Sequence, residues 1–195
     1  EVSNLILDGQ PKIVVLSAMS GTTNTLVEIS DYLYKRNADA ANETINKLAQ
    51  KYAGVIDELY DKPETKQLIA DFLQERFDYI RSFTKNLFTL FEEKIVLAQG
   101  ELLSTTMFTH YLLEKGASAA LLPALEFMRV DKNGEPDTEY IKENLATLLA
   151  AHEGVNLFIT QGFICLNAYG EVDNLQRGGS DYTASLIGAA IKAEE

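Results

Sequence analysis

Residues 177–181 have the types and spacing of an anion-binding site. Two glycines, Gly178 and Gly179, precede Ser180 at the predicted start of a helix that is rich in small residues. Free backbone N–H groups at a helix N-terminus attract anions, and glycines let a ligand approach the backbone closely. Arg177 adds a forked cation directly before this helix. The segment therefore favours a carboxylate or a phosphate as ligand, although a glycine turn followed by a Ser-capped helix is the alternative that composition alone favours.

A complementary negative charge comes from Glu101, in the segment Gln-Gly-Glu-Leu-Leu-Ser at positions 99–104. A carboxylate suits an ammonium group, whereas Arg177 suits a carboxylate or a phosphate, so the pair fits a zwitterionic amino acid. Glu101 is also predicted to lie at the start of a helix. An acidic side chain there interacts favourably with the helix dipole, and this purely structural role is the alternative.

Other common catalytic arrangements are missing from the sequence. His110 and His152 have no partner at metal-ligand spacing and suggest no Ser-His-Asp order, so we expect both to be structural or at the surface. No Gly-x-x-x-x-Gly-Lys-Ser/Thr loop occurs, which excludes a P-loop nucleotide site in this sequence. Cys165 is the one cysteine and is expected to be buried as a small apolar residue. No metal ligand set is therefore predicted.

Composition restricts the class of protein. A length of 195 residues with 46% hydrophobic residues predicts one globular domain. Lys plus Arg number 17 against 29 Asp plus Glu, and the net charge of −12 argues against nucleic acid as a partner. A single cysteine favours a reducing cytoplasm, and no apolar run has membrane-spanning length. Because the chain begins without Met, we expect a fragment of a longer protein.

Strand-like and helix-like patterns alternate along the chain. Buried strands are predicted at four places: Lys12 to Ser17, Ala119 to Leu122, around Phe127 to Val130, and from Asn156 onward. A hairpin-like turn is predicted around Asn167 to Gly170. Such alternation predicts an α/β fold, with a mainly parallel sheet covered by helices on both faces in a three-layer αβα sandwich. Four loops could then meet at one edge of the sheet: residues 17–24, 99–104, 160–163 and 177–181.

The helices are predicted from apolar residues that recur at three- and four-residue steps. Thr22 to Asn24 offer capping side chains for a first helix, and residues 38–97 read as two helices broken near Pro63, which acts at a helix start. Further helices are predicted from Gln99 to about Lys115 and from Tyr140 to His152. The apolar stripes of these helices are expected to form core.

Four motifs together resemble the signatures of aspartokinases in order and spacing. They are Val-Val-Leu-Ser-Ala-Met-Ser-Gly-Thr-Thr-Asn at 14–24, Gln-Gly-Glu-Leu-Leu-Ser at 99–104, Ile-Thr-Gln-Gly-Phe-Ile at 159–164, and Arg-Gly-Gly-Ser-Asp-Tyr-Thr-Ala at 177–184. The resemblance implies the amino acid kinase fold, here as a single partial domain over 1–195 with a helical insertion at 31–97. It also implies that the nucleotide-binding remainder and the ACT regulatory domains lie outside this chain.

For the function, the resemblance implies transfer of the γ-phosphoryl group of Mg-ATP to the side-chain carboxylate of L-aspartate. The product would be 4-phospho-L-aspartate, for lysine, threonine and methionine synthesis, made by a cytoplasmic homo-oligomer. Phosphoryl transfer asks for positioning and charge neutralisation more than for a protein nucleophile. The family lysine that would act in catalysis falls before Glu1, so the fragment itself is expected to be inactive.

The resemblance also implies roles for individual residues. Glu101 would bind the substrate ammonium and Arg177 a substrate carboxylate, while Phe163 would pack on the aspartate. Ser17 and Thr23 would be loop contacts, and Ser180 and Asp181 would be helix-start contacts of the same pocket. Gly178 and Gly179 would lie near the nucleotide phosphates.

One departure and two rival functions accompany this interpretation. Gln176 stands where the family usually has Gly, which adds bulk beside the substrate loop. The rivals are another amino acid kinase, for example one that acts on glutamate, and a non-catalytic amino acid sensor with the same pocket.

Overall fold

The computed structural model describes residues 6–175 and 178–194. The helices in this part are α1 (Thr22–Tyr34), α2 (Ala38–Leu59), α3 (Pro63–Ser82), α4 (Leu90–Glu114), α5 (Ala124–Phe127), α6 (Thr138–Ala150) and α7 (Gly179–Ile191), with a short 3-10 turn at Phe83–Lys85. The strands are β1 (Lys12–Leu16), β2 (Ala119–Leu122), β3 (Leu157–Gln161), β4 (Ile164–Leu166) and β5 (Val172–Asn174).

The chain divides into two compact units. The sheet unit contains the residues up to Ser17 and those from Ser104 onward, and the helical unit runs from Ala18 to Leu103. The single partial domain with an insertion at 31–97 remains a prediction. In the part of the chain that the structure describes, no helix is both long and apolar enough to cross a membrane.

The central sheet of the sheet unit is parallel, in the order β1, β3, β2. Leu16 pairs with Gln161 and Leu122 pairs with Thr160, so the carboxyl ends of the strands meet at one edge. The strands are rich in β-branched and aliphatic residues, which suit a sheet that is buried on both faces. These strands confirm the predictions for residues 12–17, 119–122 and 156 onward.

Helices cover both faces of this sheet. On one face, Leu112 of α4 packs with Leu157 and Ile159 of β3. Phe158 points to the opposite face, because side chains alternate along a strand, and its ring lies 6.0 Å from that of His152, directly after α6. Helix α7 contacts both α6 and β1. The sheet unit therefore has the layered helix, sheet, helix arrangement that the sequence predicts.

A hairpin follows the central sheet directly. Strands β4 and β5 pair antiparallel, with Ile164 opposite Asn174. Asn167 closes the turn, because its side chain accepts hydrogen bonds from the backbone N–H groups of Tyr169 (2.8 Å) and Glu171 (3.0 Å). The predicted hairpin around residues 167–170 is confirmed.

The helical unit is built on the predicted apolar stripes. Its fully or almost fully buried side chains include Leu26, Ile29, Leu33, Ile45, Leu48, Tyr52, Ile56, Ile69, Leu73, Phe77 and Ile80. Pro63 is the first residue of α3, as predicted, since its missing N–H costs nothing there. The Asn37 side chain caps α2 by accepting from the N–H of Ala40 at 3.2 Å.

Three predictions about local structure are wrong: one helix start, one helix cap and one strand. Helix α4 begins at Leu90 and not at Gln99, because Thr89 and Glu92 form a capping box in which the Thr89 N–H donates to the Glu92 carboxylate at 2.8 Å. Thr22 to Asn24 do not cap α1 as predicted, because they lie inside its first turn; Gly21 precedes the helix in the left-handed conformation, without a side-chain cap. The strand predicted at residues 127–130 is replaced by the short helix α5 and two isolated bridges, because the chain turns there.

Candidate functional site

The turn after β3 lies directly against the start of α7. The Gly162 N–H donates to the Leu16 carbonyl at 2.9 Å, which extends the β1–β3 pairing by one residue. A Cβ at Gly162 would lie 2.4 Å from Ser180 Oγ and 2.7 Å from Ser180 Cα, so no side chain fits there. Glycine at this position lets the sheet edge and the helix N-terminus approach within backbone contact.

Phe163 is held in an unusual conformation at this turn. Its φ of 67° lies in the left-handed region, which costs a non-glycine residue about 1–3 kcal/mol. Its backbone N–H and carbonyl are both hydrogen-bonded: the N–H donates to the Thr183 side-chain Oγ1 at 3.2 Å, and the carbonyl accepts from the Leu175 N–H at 2.7 Å. The aromatic ring is half-buried, and its Cδ2 atom lies 3.0 Å from the place that a Cβ would occupy at Gly179. Backbone strain of this kind is typical of functional sites.

The start of α7 has the form of an anion-binding helix terminus. Gly178 stands before the helix with φ 83° and no side chain caps it, so the Ser-capped alternative is wrong. The Tyr182 N–H donates to the Gly178 carbonyl at 3.0 Å, and the earlier N–H groups precede this first intrahelical bond. Gly179 is buried, whereas Asp181 is exposed in the first turn.

Ser17 connects the end of β1 to this helix. Its hydroxyl donates to Ser180 Oγ at 2.8 Å, and its carbonyl accepts from the Ser104 hydroxyl, also at 2.8 Å. Ser17 is exposed and Ser180 is half-buried, so both hydroxyls are accessible to a small polar ligand. Ser17, Phe163 and Ser180 thus lie at one edge of the parallel sheet.

Gln161 supports this edge through buried hydrogen bonds, a role that the sequence analysis did not predict. The side chain is 1% exposed; it accepts from the Ala124 N–H at 2.7 Å and donates to Thr105 Oγ1 at 2.8 Å. It therefore ties the last residue of β3 to α4 and α5. A large polar side chain in an otherwise apolar strand, directly before Gly162, is the signal that could have identified it.

Glu101 belongs to the helical unit. This side chain is 4% exposed, lies in the interior of α4, and accepts from the Ala18 N–H at 3.1 Å through Oε1. Burial raises the pKa of Glu101 to about 7, although the hydrogen bond from Ala18 acts in the opposite direction. The alternative role at a helix N-terminus is excluded, because Glu101 lies eleven residues after Leu90, where the helix begins.

A comparison with known protein families identifies the fold. The model of the amino acid kinase family matches residues 1–195. The chain belongs to the amino acid kinase family. Lysine-sensitive aspartokinase 3 of Escherichia coli (strain K12) is 30% identical over 209 residues, covering 97% of this chain and 42% of that protein. Aspartokinase 1 of Bacillus subtilis (strain 168) is 34% identical over 106 residues, covering 53% of this chain and 26% of that protein.

Solved structures of amino acid kinases share this fold. E. coli aspartokinase III in complex with lysine and aspartate superposes with a TM-score of 0.85 at 27% identity, over 100% of this chain and 44% of that chain. The same enzyme in complex with aspartate and ADP gives a TM-score of 0.80 at 28% identity, over 94% and 41%. The resemblance to aspartokinases is confirmed, and so is the mainly parallel α/β fold. This amino acid kinase chain spans less than half the length of those enzymes.

The predicted site residues of this amino acid kinase divide between the two units. Ser17, Phe163, Gly178, Gly179, Ser180 and Asp181 belong to the sheet unit, and Thr23 and Glu101 belong to the helical unit. Thr23 is exposed in the first turn of α1. Arg177 and Gln176 lie outside the described residues, so the predicted cation and the departure from the family pattern have no structural account. The individual roles of all these residues stay predictions.

Proposed function

We propose that the protein carrying this chain is an aspartate kinase, and that the chain supplies the greater part of its amino acid site. The observation that carries the proposal is the match of 94% of the chain to an aspartokinase structure that holds aspartate and ADP. Among the described motif residues, Ser17, Phe163 and Ser180 lie at the carboxyl edge of the parallel sheet, and Glu101 lies on α4. Ligands of open α/β sheets bind at such carboxyl edges.

The proposed reaction transfers the γ-phosphoryl group of ATP to the side-chain carboxylate of L-aspartate. A carboxylate oxygen forms the new bond to the γ-phosphorus as the bond from that phosphorus to the bridging oxygen breaks, which gives 4-phospho-L-aspartate and ADP. Mg²⁺ accompanies ATP as part of that substrate and neutralises phosphate charge. The described residues contribute positioning, because the attacking oxygen belongs to the substrate.

Two charged side chains would orient the aspartate. Glu101 is proposed to bind the ammonium group, and its burial makes that contact effective because little water competes. Arg177 is proposed to bind a carboxylate as a forked donor. A substrate with both charges is then held at two points.

The remaining residues would shape the pocket. Phe163 would pack on the aspartate carbon chain, and the hydroxyls of Ser17 and Ser180 would donate to its oxygens. Thr23 and Asp181 would contact the substrate from the first turns of α1 and α7. Gly178 and Gly179 would leave room for the nucleotide phosphates beside α7.

We further propose that the protein acts in the cytoplasm as a homo-oligomer, without nucleic acid as a partner. The net charge of −12 supports the last point, because a phosphate backbone would be repelled. The pathway leading to lysine, threonine and methionine is the proposed context.

The test uses the complete protein that contains this chain. ADP release is measured with ATP and either aspartate or glutamate, and the acyl phosphate is trapped with hydroxylamine. We expect aspartate-dependent turnover. A preference for glutamate would replace the proposal by another amino acid kinase, and aspartate binding without ADP release would replace it by a sensor.

The role of Arg177 has its own variant. Arg177→Ala is expected to weaken aspartate binding at least about tenfold, because a charge-assisted hydrogen bond of a forked cation is lost. Lys142→Ala removes one positive charge from the exposed face of α6 and serves as the matched control. Unchanged aspartate affinity in Arg177→Ala, by calorimetric titration, would refute the assignment.

A further inference from the structure

The loop between β1 and α1, residues Ala18–Gly21, is held by two consecutive residues of α2. The first is Lys51, whose ammonium donates to the Ser20 carbonyl at 2.6 Å. The same ammonium lies 3.7 Å from the place that a Cβ would occupy at Gly21. A charged donor makes a stronger hydrogen bond than a neutral one, so an exposed lysine can hold an exposed loop carbonyl.

The second residue is Tyr52, which acts from the buried side. Its hydroxyl lies 3.0 Å from Thr22 Oγ1, and both side chains are 0% exposed. Burial raises the pKa of Tyr52 to about 12, so the phenol stays neutral and keeps its hydrogen-bonding proton at physiological pH. The ring packs edge-on against Phe77 of α3 at 5.9 Å, which fixes the direction of the hydroxyl.

The other end of the loop is held by α4. The Ala18 N–H donates to Glu101 Oε1 at 3.1 Å. The Ala18 methyl also lies so close to Gly100 that a Cβ added there would come within 2.8 Å of it. Ala18, Ser20 and Thr22 are therefore each held by a different side chain.

These contacts matter because α1 has no cap of its own to set its start. Gly21 stands before the helix in the left-handed conformation, with φ 79° and no side-chain cap, and such a glycine has many alternative conformations. The Thr22 N–H donates to the Met19 carbonyl at 2.9 Å, so the turn depends on the position of Met19 and Ser20. Without the α2 contacts, Ser20 and Thr22 would lose these anchors, while the Ala18 end of the loop would still be held by Glu101.

We propose that Lys51 and Tyr52 are positioning residues of the amino acid site, which hold the Ala18–Gly21 loop and thereby place Thr23 and the Ala18–Glu101 contact for the substrate. The proposal rests on the proposed function, because it takes that loop as part of the aspartate site. The proposal gives α2, a helix in which the sequence shows no motif, the role of holding this loop in place. Lys51 and Tyr52 act through the loop and not through contact with the substrate.

The test measures loop order and substrate binding separately, in the complete protein. Lys51→Met keeps the length of the side chain and removes the donor, whereas Lys51→Arg keeps a donor. Lys47→Met, one turn earlier on the exposed side of α2, is the control for loss of a surface lysine. Hydrogen exchange is followed at the Ala18 and Thr22 amides, and kcat and KM are determined for aspartate and for ATP.

We expect Lys51→Met to accelerate exchange at both amides and to raise the aspartate KM about fivefold to tenfold, with the ATP KM unchanged. Lys51→Arg should recover most of the aspartate KM, and Lys47→Met should behave as wild type. A general loss of stability would instead disturb both substrates and the amides of β3.

Tyr52 is tested by a double-mutant cycle. Tyr52→Phe and Thr22→Val each remove one hydroxyl of the pair, and the double variant is expected to be no worse than either single variant. This result would show that the two hydroxyls act as a pair and separates their contact from a general packing defect.

Two results would overturn the proposal. One is unchanged exchange at Ala18 and Thr22 in both Lys51→Met and Tyr52→Phe. The other is faster exchange with an unchanged aspartate KM, because loop order would then not serve the substrate. A wild-type protein that does not phosphorylate aspartate would refute the proposed function, and the exchange measurement alone would then decide whether α2 holds the loop.

Discussion

Gly162 and Ser180 are in backbone contact. An added Cβ at Gly162 would lie 2.7 Å from the Ser180 Cα, well inside the distance that two carbon atoms tolerate. This contact joins the carboxyl end of β3 to the first turn of α7. The geometry of the predicted substrate edge therefore depends on the absence of a side chain at one position.

Gly162→Ala is accordingly expected to be destabilising. The methyl group meets a helix backbone and not a flexible side-chain end, so relief requires α7 or the β3–β4 turn to move. We expect a loss of about 3 kcal/mol in the free energy of unfolding, at the upper end of the range for overpacked sites. Chemical denaturation followed by circular dichroism measures this loss.

Gly54→Ala is the matched control for this substitution. Gly54 lies in the interior of α2, and nothing comes within 4 Å of a Cβ built there. Alanine is the better helix former, so this variant should gain about 0.5–1 kcal/mol. Equal effects of the two substitutions would contradict the close contact between Gly162 and Ser180.

Thr183 holds the strained backbone at Phe163. Its buried hydroxyl accepts from the Phe163 N–H at 3.2 Å and donates to the Gly179 carbonyl at 2.7 Å. Thr183→Val keeps the shape and removes both hydrogen bonds, which should cost about 1–2 kcal/mol because a partly buried N–H loses its acceptor. Exchange of the Phe163 amide should accelerate at the same time.

Thr183→Ser keeps the hydroxyl and loses one methyl group, so it separates the hydrogen bonds from the packing. We expect the Phe163 amide to stay protected in this variant. If Thr183→Val left the Phe163 amide as protected as in wild type, Thr183 would not be the residue that holds the turn.

The sequence predicts elements whose signals are local. The apolar run from Ile13 to Leu16 and the proline at 63 each determine their element without reference to distant residues. The start of α4 is just as local, because Thr89 and Glu92 have capping-box spacing, but the glycine at position 100 suggested a boundary inside the helix. Gly100 is there because Ala18 packs against it.

The interior support of the site could not be predicted, because it depends on which elements meet. Tyr52 looks like one more apolar residue of the α2 stripe, and only the fold places its hydroxyl 3.0 Å from Thr22. Thr183 similarly lies twenty residues after Phe163 in the sequence, and its hydroxyl accepts a hydrogen bond from the Phe163 N–H. The motif residues could be found from their spacing, whereas the residues that hold them in place required the tertiary structure.

Gln161 allows a test of such an interior residue. Gln161→Met keeps the length of the side chain and leaves the fully buried Ala124 N–H without its acceptor. An unsatisfied buried N–H costs about 1–3 kcal/mol, so thermal or chemical denaturation should show a loss in that range. Gln50→Met, at an exposed position of α2, is the control for replacing glutamine by methionine. Equal stability of the two variants would mean that Gln161 does not tie β3 to α5.

Glu101 gives the last prediction, which concerns pH. Burial raises the pKa of Glu101 from 4.5 to about 7, so the folded chain binds this proton more tightly than the unfolded chain. Between about pH 4.5 and 7 the folded state holds more protons, and the contribution of Glu101 to stability therefore falls as pH rises. Above about pH 7 the carboxylate is charged in both states, and the full cost of burying it remains.

Glu101→Gln should remove this dependence. The amide oxygen can still accept from the Ala18 N–H, but no charge is buried, so the variant should be more stable than wild type at pH 8. A pKa difference of about 2.5 corresponds to an upper limit on the order of 3 kcal/mol. At pH 4.5, where wild-type Glu101 is already neutral in the folded state, most of the advantage should disappear.

The measurement is the difference in unfolding free energy between wild type and variant across this pH range. Other carboxylates titrate in both proteins, so their effects cancel in this difference. One of them is Asp137, whose pKa is lowered, and not raised, by its hydrogen bond from Arg129. Glu143→Gln removes an exposed carboxylate from α6 and controls for the loss of one negative charge. If the stability advantage of Glu101→Gln did not change with pH, or grew as pH fell, Glu101 would not be buried in the charged form above pH 7. Its proposed role as the partner of a substrate ammonium would then lose its electrostatic basis.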